Sequence, residues 1–208
     1  MELAIEQPWL RLVALSRREA QMPRGVRMEM LVADPLGWPE AIAAIAPEAV
    51  ICALGTTLRQ AGSEDAFRAV DFDLVLSLAR ASREAEVSNF VLVSSAGADA
   101  YGKPFYLRVK GEIEAAVTKL RFRRLDILRP GLLKGSRSRG VRPLEALAKM
   151  ASPVTDLLLH GDNRRYRSID ARIVAAAAVQ CAREKAQGRW LHDNDAIVRA
   201  ARRLDGRA

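Results

Sequence analysis

Five apolar runs of strand length, separated by longer stretches of helical periodicity, constrain this chain more than any other feature. Leu10–Ser16 (LRLVALS) is a continuous apolar run ending in polar residues, as expected of a buried parallel strand. Val26–Val32 alternates more and stops at Asp34-Pro35, and Trp38–Ile45 reads as a short Ala-rich helix. Ala49–Leu54 (AVICAL) is another buried strand, closed by Gly55-Thr56-Thr57. A long helix is predicted over 64–86, with Phe67, Val70, Leu74, Leu78 and Ala81 at helical spacing. Strand Asn89–Ser94, helix Pro104–Lys119 and strand Arg124–Leu128 continue the rhythm. Alternation of this kind implies an α/β fold, a doubly wound parallel sheet with right-handed crossovers.

After Arg129-Pro130-Gly131 the rhythm loosens. Pro143–Ala151 and Val154–His160 read as short helices, Arg165–Ser168 as a short strand and Ala171–Glu184 as a strong helix. Trp190–His192 is a short strand before a final helix. We expect one domain over 1–208, in which 131–208 includes an elaboration lying over the ends of the sheet.

The net charge is +8, and only six of the 33 cationic residues are lysine. The basic clusters Arg121–Arg124, Arg137–Arg142 and Arg164–Arg167 are scattered, and only Phe122 and Tyr166 interleave with them. That is a poor platform for stacked bases, so nucleic acid is set aside as the main partner; an anionic small ligand accounts for arginines equally well. No run of about 18 apolar residues is present to span a membrane. Met1–Leu12 lacks the basic start and apolar centre of a secretory signal. Cys52 and Cys181 make no disulfide framework, and the expectation is a cytoplasmic chain. His160 and His192 lack ligand partners at metal-like spacing, so no metal site is expected. Asp71 and Asp73, within the long helix, are read as solvated.

The strongest chemical constellation is Ser94-Ser95 at a strand end followed by Tyr106 and Lys110 in a helix. Four residues apart, Tyr106 and Lys110 share a helical face. A phenol is a poor acid at neutral pH, and a neighbouring ammonium stabilises its phenolate, which draws Tyr106 towards the working range. A strand-end hydroxyl can hold a carbonyl or alcohol oxygen beside that phenol. Adjacent serines on a strand point to opposite sides: phasing favours Ser95, and the spacing to Tyr106 favours Ser94.

Leu54-Gly55-Thr56-Thr57, Val93-Ser94-Ser95-Ala96-Gly97-Ala98-Asp99, Tyr106-Leu107-Arg108-Val109-Lys110-Gly111-Glu112-Ile113-Glu114 and Leu128-Arg129-Pro130-Gly131-Leu132-Leu133 occur in this order. Together they resemble the atypical short-chain dehydrogenase/reductases of the HIV-Tat-interacting-protein type, from Leu10 to at least Ala151. The resemblance implies an NAD(P)-binding Rossmann fold and hydride transfer to or from a small-molecule carbonyl or alcohol. Tyr106 resembles the family's proton donor/acceptor, Lys110 its partner that also holds the nicotinamide ribose, and Ser94 or Ser95 the third catalytic residue. Leu54, Gly55 and Thr56 match the backbone passing the cofactor, and Leu133 and Arg142 match later cofactor contacts. Asp34 resembles the adenine-edge contact, or else caps the helix near Trp38. Ser16-Arg17-Arg18 falls where a Rossmann unit meets the adenosine ribose. With two guanidiniums and no acid there, a 2′-phosphate finds bidentate donors, so NADP(H) is the cofactor expected.

One part of the family pattern is missing. The first strand and its Gly-rich turn, which bind the pyrophosphate, do not precede Leu10. Met1–Glu6 instead reads as the last turns of a helix, as though the chain entered partway along the first one. The expected consequence is an open position at the centre of the sheet, between Leu10–Ser16 and Ala49–Leu54. Two functions remain: an NADP(H)-dependent oxidoreductase, favoured by the Ser/Tyr/Lys set, and a non-catalytic NAD(P)H-binding redox-sensing or interaction module, favoured by the missing turn. Oligomeric state and substrate are not legible.

Overall fold

In the computed structural model, residues 1–19, 22–25, 28–134 and 166–206 are described. All described strand pairs are parallel. Strands β1 (Val13–Ser16) and β2 (Glu29–Val32) form one pair. Strands β3 (Ala49–Cys52), β4 (Asn89–Val93), β5 (Arg124–Leu128) and β8 (Gly188–His192) form a sheet in that order. A small pair, β6 (Leu133–Lys134) with β7 (Ile169–Asp170), lies apart.

Side-chain alternation along β4 and β5 separates two cores. Phe90, Leu92, Leu125 and Ile127 belong to a core shared with α2 (Trp38–Ile45), α5 (Val75–Glu84) and α6 (Phe105–Thr118). Val91 and Leu128 belong to the other, with α1 (Glu2–Ile5), α7 (Ala171–Arg183) and α8 (Asn194–Asp205). Helices therefore cover both faces of a parallel sheet, the doubly wound architecture expected from the alternation.

Leu15 of β1 packs on the same core as Val50 of β3, and Leu10 on the same core as Ile51, so both strands lie in the layer between the two cores. They are nevertheless not hydrogen-bonded neighbours. With β1 and β2 as the second and third strands of the order 3-2-1-4-5-6, the place between β1 and β3 is that of the first strand. No described strand fills it. Burial follows: β4 and β5 are buried at nearly every residue, whereas β1 is only half-buried throughout and β3 is fully buried only at Cys52.

Most element boundaries match the sequence reading within three residues. The predicted 64–86 helix departs in its interior. It starts as α4 (Glu64–Arg68), widens into a π turn at Ala69–Leu74 and resumes as α5. An additional short helix, α3 (Leu58–Ala61), is capped by the Thr57 hydroxyl accepting from the Gln60 amide. The predicted Arg165–Ser168 strand is corrected: Tyr166–Ser168 is not extended pairing, and the strand is the adjacent β7. The helices expected at Pro143–Ala151 and Val154–His160 lie outside the described residues.

Gly111 marks a close approach of α6 to a loop backbone. A Cβ there would stand 2.1 Å from the Ala100 amide nitrogen, so only glycine lets α6 approach the 99–100 backbone. Gly111→Ala is expected to destabilise the protein by about 1–3 kcal/mol or more through overpacking, measured as a lowered urea midpoint at unchanged m-value.

Candidate active site

Tyr106, Lys110 and Glu114 recur every four residues and form a stripe along α6. Each meets a different element. The Tyr106 ring stands edge-on to Phe67 of α4, with centroids 5.7 Å apart. Lys110 Nζ is ion-paired with Asp71 Oδ1 at 2.7 Å, both side chains being almost wholly buried. Glu114 takes the Arg129 guanidinium through Nε at 3.0 and 3.1 Å and also through its Nη2. The Ser94 hydroxyl donates to Glu114 Oε1.

Asp71 is therefore not solvated as the sequence suggested. It is fully buried on the π turn, and its other oxygen accepts the Thr56 amide at 2.7 Å. The Gly55 turn rests on the same pair: a Cβ there would stand 3.3 Å from Asp71 Oδ1 and 3.7 Å from Lys110 Nζ. A signal for this was present, because Asp71 falls on the apolar stripe traced by Phe67, Leu74 and Leu78, where a carboxylate without a partner would be costly. Asp73, off that stripe, is exposed as expected.

The two strand-end serines are placed differently. Ser94 is buried and committed to Glu114, whereas Ser95 is half-buried and, among the described residues, its hydroxyl makes only a long 3.4 Å contact to the Ala96 carbonyl. Beyond them a cavity of about 500 Å³ is lined by Ala96, Gly97, Asp99, Arg129, Tyr166 and Asp193, at the carboxyl ends of β4, β5 and β8. Gly97 adopts φ +80° and brings its backbone against the Tyr166 ring, where a Cβ would approach within 3.2 Å.

The remaining candidates are distributed along the same edge. At the end of β1 the Ser16 hydroxyl donates to the Arg18 carbonyl and accepts from its amide, a local turn that leaves Arg17 and Arg18 exposed. Asp34 caps the 3₁₀ turn Pro35–Gly37 by accepting from the Leu36 amide at 3.0 Å. Leu54 packs against the first core, and Leu133 of β6 is exposed. Arg142 lies outside the described residues.

A second buried polar cluster escaped the sequence reading because its members come from three elements. Arg124 Nε and Nη2 bracket Asp126 at 2.6 and 2.9 Å, and His192 Nε2 lies 2.7 Å from Asp126 Oδ1. Cys181 Sγ is 3.8 Å from the same ring nitrogen, and the ligand atoms of Asp126, Cys181 and His192 fall within 4.8 Å of one another. The guanidinium already satisfies both carboxylate oxygens. Burial and the Asp126 charge push the Cys181 thiol up to about 12. Burial likewise pushes Cys52, beneath the Leu54 turn, up to about 11, against the smaller opposing pull of the Leu54 backbone and Lys110.

The HIM1 family profile matches residues 39–163. The chain is 39% identical over 145 residues to the mitochondrial protein fmp52 of Emericella nidulans, covering 67% of this chain and 62% of the relative. It is 47% identical over 98 residues to the rat protein HTATIP2, covering 47% and 40%. The chain thus spans about half the length of these curated relatives. Its fold is that of a UDP-glucose 4-epimerase from Brucella ovis solved in complex with NAD, with a TM-score of 0.67, 17% identity and coverage of 93% of this chain and 75% of that one. Among the described residues no helix is long and apolar enough to cross a membrane. The expectation of a cytoplasmic chain is corrected, since the fungal relatives are named mitochondrial proteins. Two unpaired cysteines fit any reducing compartment, so they never discriminated between the two.

With pKa values near 11 and 12, fewer than about one thiol in a thousand is thiolate at pH 7–8. Cys52 and Cys181 are expected to resist a chromogenic disulfide reagent in the native protein, and two thiols per chain should react at once after unfolding.

Proposed function

Because the chain belongs to the HIM1 family, among the atypical short-chain dehydrogenase/reductases of the HIV-Tat-interacting type, we propose that it is an NADP(H)-dependent oxidoreductase acting on a small carbonyl or alcohol. The observation that carries this reading is the placement of Lys110: its ammonium is buried beneath the Gly55–Thr56 turn, on the helix face it shares with Tyr106. A nicotinamide nucleotide, when bound, would supply or take the hydride. The residues present fit it at both ends of its span. In this reading Arg17 and Arg18, both exposed, would meet the adenosine ribose, and the Leu54–Thr56 turn and Lys110 the nicotinamide end. Ser16, Asp34, Leu133 and Arg142 would complete the contacts.

In this reading Tyr106 gives the proton to, or takes it from, the substrate oxygen. Ser95, whose hydroxyl has only a long contact to the Ala96 carbonyl among the described residues, would donate a hydrogen bond to that oxygen. Ser94 acts at one remove by fixing Glu114 and Arg129. The cavity ahead of β4, β5 and β8 would receive the substrate, with 131–208 as the elaboration on that side of a single domain.

A second reading is a non-catalytic NAD(P)H-binding module of the same fold. NADPH binding without turnover against any carbonyl panel would support the module and remove the enzyme.

Tyr106→Phe removes only the hydroxyl, so folding and cofactor affinity should survive while turnover falls by about 10²–10⁴. Turnover within a few-fold of wild type would sink the assignment.

Replacing both Arg17 and Arg18 by alanine is expected to weaken NADPH binding at least about tenfold and NADH binding little, since only the former carries the 2′-phosphate. Calorimetry with each nucleotide distinguishes this from a structural role, which would weaken both equally.

A further inference from the structure

Strand β8 ends the four-stranded sheet, and among the described residues no strand lies along its outer edge. The phase of its ladder is fixed at both ends. The Gly188 amide donates to the Arg123 carbonyl, and the His192 carbonyl accepts the Arg129 amide. In a parallel ladder every second residue turns its backbone to the same neighbour. Gly188, Trp190 and His192 therefore face β5, and the backbone groups of Arg189 and Leu191 face outward. Asp193 keeps the chain extended for one more residue, with φ −74° and ψ 179°, so its amide continues the outward row.

Edges of this kind are commonly blunted by lysine or proline. The run Gly188-Arg189-Trp190-Leu191-His192-Asp193 contains neither. Its apolar side chains are bare instead, Leu191 being 55% and Trp190 43% exposed. Arg189 and Asp193 are exposed at the two ends of the outward row. Asp193 caps α8, its Oδ1 accepting the Ala196 amide and its carbonyl the Ile197 amide. Among the described residues, its second carboxylate oxygen and the Arg189 guanidinium are left for a partner.

We propose that β8 pairs antiparallel with β8 of a second copy of this chain, about a two-fold axis at Leu191, so that one sheet runs through both molecules. A two-fold contact is self-complementary, and in an antiparallel ladder outward-facing residues must meet outward-facing ones. An axis at Arg189 would set like charges together, and an axis at Trp190 would set Arg189 against the partner's Leu191. An axis at Leu191 sets Arg189 against the partner's Asp193, Leu191 against the partner's Leu191, and Asp193 against the partner's Arg189. One face of the joined strands then carries an apolar pair between two ion pairs, and directly opposed unlike charges stabilise such a ladder. On the other face Trp190 falls opposite the partner's His192. Leu191 and Asp193 also line the cavity ahead of β4, β5 and β8, so the partner's Arg189 would stand at its rim.

Sedimentation equilibrium of the full chain tests this. A contact of two strands is at the small end of stable interfaces, so a concentration-dependent monomer–dimer equilibrium is expected. Leu191→Pro removes an outward N–H and leaves the groups facing β5 in place, which an edge strand tolerates. That variant should be monomeric where wild type is dimeric. Arg189→Glu sets like charges opposite each other at both ends of the pairing and should raise the dissociation constant at least about tenfold, most at low salt. The double variant Arg189→Glu/Asp193→Arg reverses both pairs and should recover most of that loss, while the missing α8 cap shows separately as a lowered urea midpoint. A wild-type chain that stays monomeric at every concentration overturns the proposal, and so does a dimer that Arg189→Glu leaves unweakened or that survives in folded Leu191→Pro. If Leu191→Pro does not fold, the weakening by Arg189→Glu and its recovery in the double variant decide.

Discussion

Glu114 is almost shut off from water, and a buried carboxylate without a partner is penalised by several kcal/mol. The Arg129 fork and the Ser94 hydroxyl offset that penalty, and both come from places where strands end. Arg129 follows β5 and Ser94 follows β4, so one side chain on α6 locks the helix to the carboxyl ends of two strands. Lys110 repeats the arrangement a turn earlier with Asp71, and through Asp71 reaches the turn after β3. The apolar faces of α6 would tolerate a small slide along the sheet. The polar stripe does not, because each slide would leave a buried charge unpaired. Tyr106 inherits its position from this registry.

The same logic explains why the four sequence motifs are separate in the chain and joined in space. The Ser94 amide donates to the Leu128 carbonyl, the Ala96 amide to Pro130, and the Asp99 amide to Leu107. Gly111 admits the 99–100 backbone against α6. The three later motifs are thus joined to one another by backbone hydrogen bonds. The β1–β2 pair stands outside this network. It is held through Leu15, Ala33 and Leu10 against the cores, without ladder hydrogen bonds to β3.

Fold class was legible because apolar runs and helical periods alternate without ambiguity. Helix 38–45 and strand 124–128 were read to the residue. What escaped was the partnership of buried charges. Asp71, Glu114 and Asp126 each look like ordinary polar residues in their own segments, and their partners lie 39, 15 and 2 positions away or on another strand. Local periodicity marks Asp71 as facing the core but does not name its partner. The π turn was equally hidden, since an extra residue in one turn leaves the flanking apolar positions looking helical. The commitment of Ser94 to Glu114, which sets it apart from Ser95, could not be read without the fold.

The Arg124–Asp126–His192–Cys181 cluster shows how the protein separates holding from reacting. A nucleophile, histidine and acid work as a relay when acid and nucleophile address different ring nitrogens. Here Asp126 and Cys181 both face His192 Nε2, and Arg124 occupies the carboxylate. The arrangement cannot pass a proton along, but it does tie the edge strand β8 to β5, and Arg124 also donates to the Ala186 carbonyl just before β8. Its chemistry is stability. The Asp71–Lys110 and Glu114–Arg129 clusters are paired in the same way, so the +8 excess is carried outside these buried pairs. The described interior is thus charge-paired, and what holds it together is the pairing of each buried carboxylate with a cation from another segment or strand position.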